Sequence, residues 1–242
     1  MTFMNRTTIE QNLLLSGIVA RAYAFVAALL SLRYSIAGHF MRHVDRRVRV
    51  IGWKNIAFGK NVAIGAGSWL NVNARRGTGQ TLIFGDNSFI GRNNFISVGK
   101  AVRIGPYCLT AESCSFVGAT HVADPTRPFI ATGVTTQDEI TIGTNCFFGY
   151  AASVLGNVRI GHGCIIGAHT LVRADVPPFS IIVGNPARVV KRFDFTLPGW
   201  RSDWEGRELG HPTEEEYLNA LRASHPWPVL PLSAATSGLG DV

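Results

Sequence analysis

Cysteine is scarce, with four in 242 residues. That is too few to staple a chain of this length with disulfides, so the fold has to rest on a buried core. Methionine is scarcer still, three against 26 glycines, which points away from a helical bundle and toward a chain full of turns. Charged residues make up only 16% while 46% are hydrophobic, and that balance excludes an intrinsically disordered chain. Acidic residues are outnumbered 16 to 23, giving a formal charge of +7. Such a surplus suits an anionic small molecule, a membrane surface or nucleic acid. No aromatic–basic interleaving or nucleic-acid motif accompanies it, so nucleic acid is not expected as a partner.

The charge is unevenly spread. Residues 1–50 carry +5, residues 51–192 carry +7 and residues 193–242 carry −5. The first part also holds a long apolar stretch, Leu13 to Leu32. On a helix, Ser16, Gly17, Arg21, Tyr23 and Ser31 share one side with four alanines, while larger aliphatic and aromatic residues fill the other. Twenty residues would just span a bilayer, but Arg21 in mid-span is costly there. Two readings stand. The helix packs on its own domain or a neighbouring subunit, or it lies on a membrane surface helped by Arg33, Arg42, Arg46, Arg47 and Arg49.

What decides the fold is a repeat. From Ile142 a large apolar residue recurs every six positions: Ile142, Phe148, Val154, Ile160, Ile166 and Val172. Four of the six are followed by glycine, and Phe58, Ile64, Phe84, Ile90 and Ile104 show the same pairing earlier. Six is neither the helical period nor plain strand alternation. It suits a chain that runs one short strand, turns a corner and repeats, with three sides closing a coil of 18 residues. The large residue points inward, and the glycine after it is expected to take unusual dihedrals near the corner. The fourth residue after each large one is nearly always small: Val62, Ser68, Ser88, Cys108, Cys114, Cys146, Ala152, Val158, Cys164, Thr170 and Val176. All four cysteines fall there, which reads them as small core residues and not as metal ligands. Cys146 and Cys164, 18 apart, should stack on successive coils.

This pattern resembles the hexapeptide-repeat acetyltransferases, in particular the maltose, galactoside and polysaccharide O-acetyltransferases. The resemblance implies an all-β fold, a left-handed parallel β-helix, with a helical segment before it and a helical tail after it. The expected organisation is an apolar N-terminal segment at 1–45, a β-helix domain at 46–192 with an inserted loop at 117–141, and an acidic cap at 193–242. In that tail, Pro212-Thr213-Glu214-Glu215-Glu216 has the composition of a helix start.

The six-residue register breaks between Phe116 and Ile142, and long excursions from a rigid scaffold tend to carry function. This one contains Ala119-Thr120-His121-Val122-Ala123-Asp124-Pro125, similar to the segment that carries the family's catalytic histidine. The resemblance implies His121 as the general base that takes a hydroxyl proton while the oxygen attacks a thioester. A group on its other ring nitrogen would fix the tautomer, and Glu112 and Asp124 are the candidates. The closing Gly184-Asn185-Pro186-Ala187-Arg188 through Arg192 resembles the family's CoA-using branch. It implies acetyl-CoA as co-substrate, with contacts at Tyr150, Ala168, Arg173, Arg188 and Lys191, and a homotrimer with the CoA groove between neighbouring subunits. No metal is expected. Small-sugar members place an asparagine where this chain has Gly91; Asn93 is the candidate acceptor contact, whereas Asn94 falls at a core-facing position. The departure, with the apolar Arg-flanked N-terminus, hints at a surface polysaccharide or its lipid-linked or nucleotide-linked precursor as acceptor.

Other readings are a γ-type carbonic anhydrase using His162 and His169, whose spacing of seven differs from that family's close pair, and a non-catalytic β-helix scaffold. An acyl-carrier-protein-dependent transferase is disfavoured by the closing motif. A signal peptide in the first 32 residues would conflict with a cytosolic acyl donor, so the expected location is the cytoplasm, with peripheral contact to the inner face of the membrane through residues 13–32.

Overall fold

A computed structural model describes residues 43–73, 79–207 and 209–225. The expected helix at Leu13–Leu32, and with it the membrane or packing role of residues 13–32, lies outside the described residues.

Three parallel sheets form the sides of a triangular prism, and the chain visits them in rotation. The first sheet stacks His43–Val44, Ala63–Ile64, Phe89–Ile90, Leu109–Thr110, Phe147–Phe148, Ile165–Ile166 and Ser180–Val183. The second stacks Arg49–Ile51, Trp69–Val72, Phe95–Val98, Ser115–Val117, Ser153–Leu155 and Leu171–Val172. The third stacks Ile56–Phe58, Leu82–Phe84, Ala101–Ile104, Glu139–Ile142 and Val158–Ile160. The architecture is a parallel β-helix. Its core is the column of large residues read from the sequence: Phe84, Phe116, Phe148, Ile90, Ile96, Ile142, Ile160 and Ile166 are all buried.

The corners depart from the sequence reading in an informative way. The left-handed backbone conformation falls two residues after the glycine. At the corner from third to first sheet it belongs to Asn61, Asn87, Tyr107, Asn145, Gly163 and Phe179. At the corner from first to second sheet it belongs to Gly67, Asn93, Ser113, Ala151 and His169. From Asn87 onward each donates its N–H to the coil before it, as in Asn87 N–H to Lys60 O at 2.8 Å and Ser113 N–H to Arg92 O at 2.9 Å. The repeating glycine is required for closeness instead. A Cβ at Gly143 would lie 2.6 Å from His162 N, one at Gly149 2.7 Å from Ala168 N, and one at Gly65 2.7 Å from the carbonyl carbon of Gly91. The missing side chain lets successive coils touch backbone to backbone.

The small positions have a polar task as well as a steric one. Ser88 Oγ donates to Gly105 O at 2.9 Å, Cys108 Sγ to Gly143 O at 3.2 Å, Cys146 Sγ to Gly161 O at 3.2 Å and Cys114 Sγ to Gly149 O at 3.2 Å. A hydroxyl or thiol there gives a partner to a corner carbonyl of the next coil, which explains why serine and cysteine recur where alanine would fit. All four thiols are buried and unbridged, including the stacked Cys146 and Cys164. Burial pushes the Cys114 thiol up to about 11, against two backbone hydrogen bonds that pull it down, and burial also pushes the Cys146 thiol well above its ordinary value.

Coil length is uniform at two corners and variable at the third. From third to first sheet and from first to second, each strand begins five positions after the previous one ends, as in Ile142 to Phe147 and Phe148 to Ser153. The corner from second to third sheet absorbs every change. Val98 leads almost directly into Ala101, whereas Val117 leads to Glu139. The expected 18-residue coil is therefore the local case of a repeat that is strict on only two edges.

At the far end the first sheet reverses direction. Arg188–Asp194 pairs antiparallel with Ser180–Val183, and Gly199–Arg201 pairs antiparallel with Arg188–Asp194. Helix α1, Glu214–Ser224, begins at a reciprocal capping box in which Thr213 Oγ1 accepts from Glu216 N–H and Glu216 Oε2 accepts from Thr213 N–H at 2.8 Å. Glu214 Oε1 accepts from Thr144 N–H at 2.7 Å, and Tyr217 OH meets the Asn145 side-chain amide. Both contacts dock α1 on the corner between the third and first sheets.

Two outcomes follow from this packing. Gly143→Ala should lower unfolding stability by about 1–3 kcal/mol in a denaturant titration, because the added methyl overpacks a backbone contact. A thiol reagent at pH 8 should leave all four cysteines unmodified in the native protein and react with all four once it is unfolded.

Candidate active site

The excursion between Val117 and Glu139 leaves the second sheet and re-enters the third. Its two ends form a small clasp, with His121 bridged to Val134, Val122 N–H donating to Gly133 O at 2.8 Å and Thr135 N–H to Thr120 O at 2.7 Å. The return is tied down by Glu139, which meets Lys100 Nζ at 2.9 Å and Arg103 Nε at 3.2 Å. Those two cations, first through the hydrogen bond from Lys100, hold the Glu139 carboxyl below its ordinary range.

His121 is exposed on the clasp, and its ring meets Thr132, whose Oγ1 lies 3.4 Å from Nδ1. Neither carboxylate considered from the sequence reaches the ring in this chain. Asp124 closes its own turn: Oδ1 accepts from Thr126 N–H at 3.0 Å and Thr126 Oγ1 at 2.6 Å, and Oδ2 accepts from Arg127 Nε at 2.8 Å. These donors, Thr126 first, depress its pKa. Glu112 stands on a different edge of the prism.

That other edge is the corner between the first and second sheets, where Ala66, Arg92, Glu112, Tyr150 and Ala168 stack coil on coil. The stacking is visible in the ladder Asn93 N–H to Ala66 O, Ser113 N–H to Arg92 O, Ala151 N–H to Glu112 O at 3.0 Å and His169 N–H to Tyr150 O at 2.9 Å. Asn93 occupies the same corner one residue on, exposed and in the left-handed conformation. Asn94 is buried and internal, its amide donating to Arg92 O and Ala111 O and its Oδ1 accepting from Thr110, which makes it a structural residue. A Cβ at Gly91 would lie 2.5 Å from Ala111 O, so an asparagine there requires the coil to shift.

Tyr150 is 51% exposed and packs edge-on against His169 at 5.4 Å between ring centroids. Beside this corner lies the outer face of the first sheet, with an apolar row of Phe89, Leu109, Phe147, Ile165 and Ile181 aligned by register. Lys191 pairs with Ile181 and Arg188 with Val183, so both cations extend that row. Arg188 Nη1 donates to the adjacent Ala187 O at 2.8 Å and is otherwise exposed. Arg173 falls elsewhere. It follows the strand Leu171–Val172 at the corner between second and third sheets, in line with the root of the His121 excursion.

The structure thus sorts the residues into two groups. Asn93, Glu112, Tyr150, Ala168, Arg188 and Lys191 share one edge and its adjoining face. His121, Asp124 and Arg173 belong to the next edge, across the second sheet.

The histidines of the zinc reading do not converge. His162 is buried, its Nε2 donates to Pro212 O at 3.1 Å, and it packs against Phe179 and Tyr217; His169 sits a corner away beside Tyr150. His162 is a corner residue covered by the C-terminal segment. Among the described residues no three His, Cys, Asp or Glu side chains gather at metal-ligand distance. Among the same residues no helix is long and apolar enough to cross a membrane. Thr132 was not singled out from the sequence, because its contact with His121 is made across the clasp and no local motif announces it.

Comparisons with known proteins bear on this site. No protein-family model matches the chain. It is 36% identical to a probable acetyltransferase of Mycobacterium tuberculosis over 129 residues, 52% of this chain and 43% of that protein. A putative acetyltransferase of Staphylococcus aureus is 35% identical over 121 residues, 50% of this chain and 59% of the relative. A putative lipopolysaccharide biosynthesis O-acetyl transferase of Escherichia coli is 28% identical over 153 residues, 60% of this chain and 76% of the relative. The chain thus spans about half the length of the first two relatives. In structure it matches an N-acyltransferase from Bacillus cereus, solved in complex with dTDP and coenzyme A, with a TM-score of 0.56 over 76% of this chain and 89% of that one at 17% identity. That last likeness is one of fold.

The Asp124 turn makes a testable link between pH and the excursion. Its folded pKa is depressed, so its contribution is present above the ordinary carboxylate value of 3.8 and is lost as pH falls through the lower folded value. Asp124→Ala should lower the protection factor of the Thr126 amide at neutral pH, while the wild type should lose that protection only when acid protonates the carboxyl.

Proposed function

Its resemblance to hexapeptide-repeat acetyltransferases leads us to propose that this chain is an acetyl-CoA-dependent O-acetyltransferase. It transfers acetyl to a carbohydrate hydroxyl, on a surface polysaccharide or its lipid-linked or nucleotide-linked precursor. The observation that carries the reading is the gathering of Asn93, Glu112, Tyr150, Ala168, Arg188 and Lys191, residues 98 positions apart in the chain, on one edge and face. Sequence relatives named as acetyltransferases support the same class.

The chemistry follows from that arrangement. Arg188 and Lys191 supply fixed charge for the donor's phosphates, while Ile181, Ile165 and Phe147 offer an apolar path for its pantetheine arm. Ala168 keeps the corner low beside Tyr150. His121 Nε2 takes the proton of the acceptor hydroxyl as its oxygen attacks the thioester carbonyl. The C–O bond forms, the C–S bond breaks, and the proton passes to the departing thiolate.

The two groups of residues lie on different edges of one chain, which favours a site shared between copies. In a homotrimer of left-handed β-helices, the His121 and Arg173 edge of one subunit would face the donor edge of the next. A cytoplasmic location suits the donor, and residues 13–32 are the segment through which the inner face of the membrane would be met. The domain limits proposed are 1–45, 46–192 and 193–242. The carbonic anhydrase reading is disfavoured by the engagement of His162 with Pro212.

The test is thiol release from acetyl-CoA with candidate glycan acceptors, alongside calorimetric CoA binding. His121→Ala should lose about two decades of turnover or more with CoA affinity unchanged. Arg188→Ala should weaken CoA binding on the order of ten- to a hundredfold. Near-normal turnover of His121→Ala would overturn the assignment of the base, and a monomer in sedimentation that still binds CoA would overturn the shared site.

A further inference from the structure

The clasp that presents His121 is exposed along most of its length, yet Thr132 within it is only 6% exposed. Its hydroxyl is used twice. Oγ1 lies 2.7 Å from Phe129 O, and a carbonyl can only accept, so the single hydroxyl proton goes there. The same oxygen lies 3.4 Å from His121 Nδ1. With its proton already committed, Oγ1 can act toward the imidazole only as an acceptor. Nδ1 must then carry the hydrogen, and Nε2 is left with its lone pair.

The surrounding backbone fixes this geometry. Phe129–Ala131 is a turn of 3-10 helix, and Thr132 N–H donates to Phe129 O at 3.1 Å, so the backbone and side chain of Thr132 converge on one carbonyl. Across the clasp, the bridge between His121 and Val134 sets the ring's position relative to Thr132. Asp124, three residues after His121, is occupied by Thr126 and Arg127 and leaves the role vacant.

We propose that Thr132 is the positioning residue of the site: through the Phe129 carbonyl it holds His121 in the Nδ1–H tautomer and aims Nε2 at the acceptor. The inference rests on the reading of His121 as base, but its first consequence is a property of the ring that exists without substrate. The relay from carbonyl to hydroxyl to imidazole is neutral, so it orients the ring without a buried carboxylate beside it.

The experiment uses the full-length protein labelled with 15N-histidine, at a pH where imidazole is neutral, with ring nitrogen shifts read for His121. Wild type and Thr132→Ser should show the Nδ1–H form. Thr132→Val and Thr132→Ala should show the Nε2–H form or a mixture. In parallel, turnover should fall at least about tenfold in the two variants lacking the hydroxyl, with CoA affinity unchanged, and recover to within a few-fold in Thr132→Ser. An unchanged Nδ1–H form in a folded Thr132→Val or Thr132→Ala overturns the proposal. A changed tautomer with unchanged turnover leaves the role of Thr132 standing and overturns His121 as the base.

Discussion

In most coils, two corners of the prism bring successive turns so close that there is no room for a Cβ, and the other regularities follow from that contact. Because a methyl at Gly143 or Gly149 would meet the backbone of the next coil, glycine recurs after the inward residue. Because the coils touch there, the corner carbonyls are removed from water and need donors within the protein. Serine and cysteine at the small positions provide them. The left-handed residue that completes the turn lies just beyond, and its N–H joins the coil before. Steric, polar and conformational requirements thus meet within one hexad, which is why the period is so legible.

The third corner also has close contacts, since a Cβ at Gly99 would lie 1.8 Å from Gly118 O, but no fixed spacing holds there, and it bears the chain's departures from regularity. The excursion from Val117 to Glu139 leaves and returns there, clamped by Glu139 between Lys100 and Arg103. The residues of the proposed site divide along the same line. The strict corner between the first and second sheets stacks Asn93, Glu112, Tyr150 and Ala168 in one column. The permissive corner holds the histidine, whose position can be adjusted by loop length alone.

Sequence and structure agree wherever the signal is periodic. The inward column from Phe84 to Ile166, the burial of all four cysteines and the helix start at Thr213 could be read in advance, since each depends on spacing or on a local cap. The reading went astray where the cause is a contact between coils. The repeating glycine looked conformational and is steric. The covering of His162 was not legible either, because Pro212 and Tyr217 come from about fifty residues further on. Asp124, one of the two carboxylates considered beside His121, spends both oxygens on its own turn, a local arrangement that the motif does not announce. Thr132 could not be found, since nothing local in the sequence sets which residues of an irregular excursion pair across it.

The permissive corner also changes how the chain can vary in length. Linking second to third sheet takes two residues after Val98 and twenty-one after Val117. Loop-closure entropy grows only logarithmically, by about 0.6 kcal/mol per doubling, so the longer link costs on the order of 2 kcal/mol more. That is small beside the burial contributed by a whole coil. Along this edge the β-helix behaves as a rack with open slots, into which a segment of almost any size can be fitted while the hexads above and below keep their register.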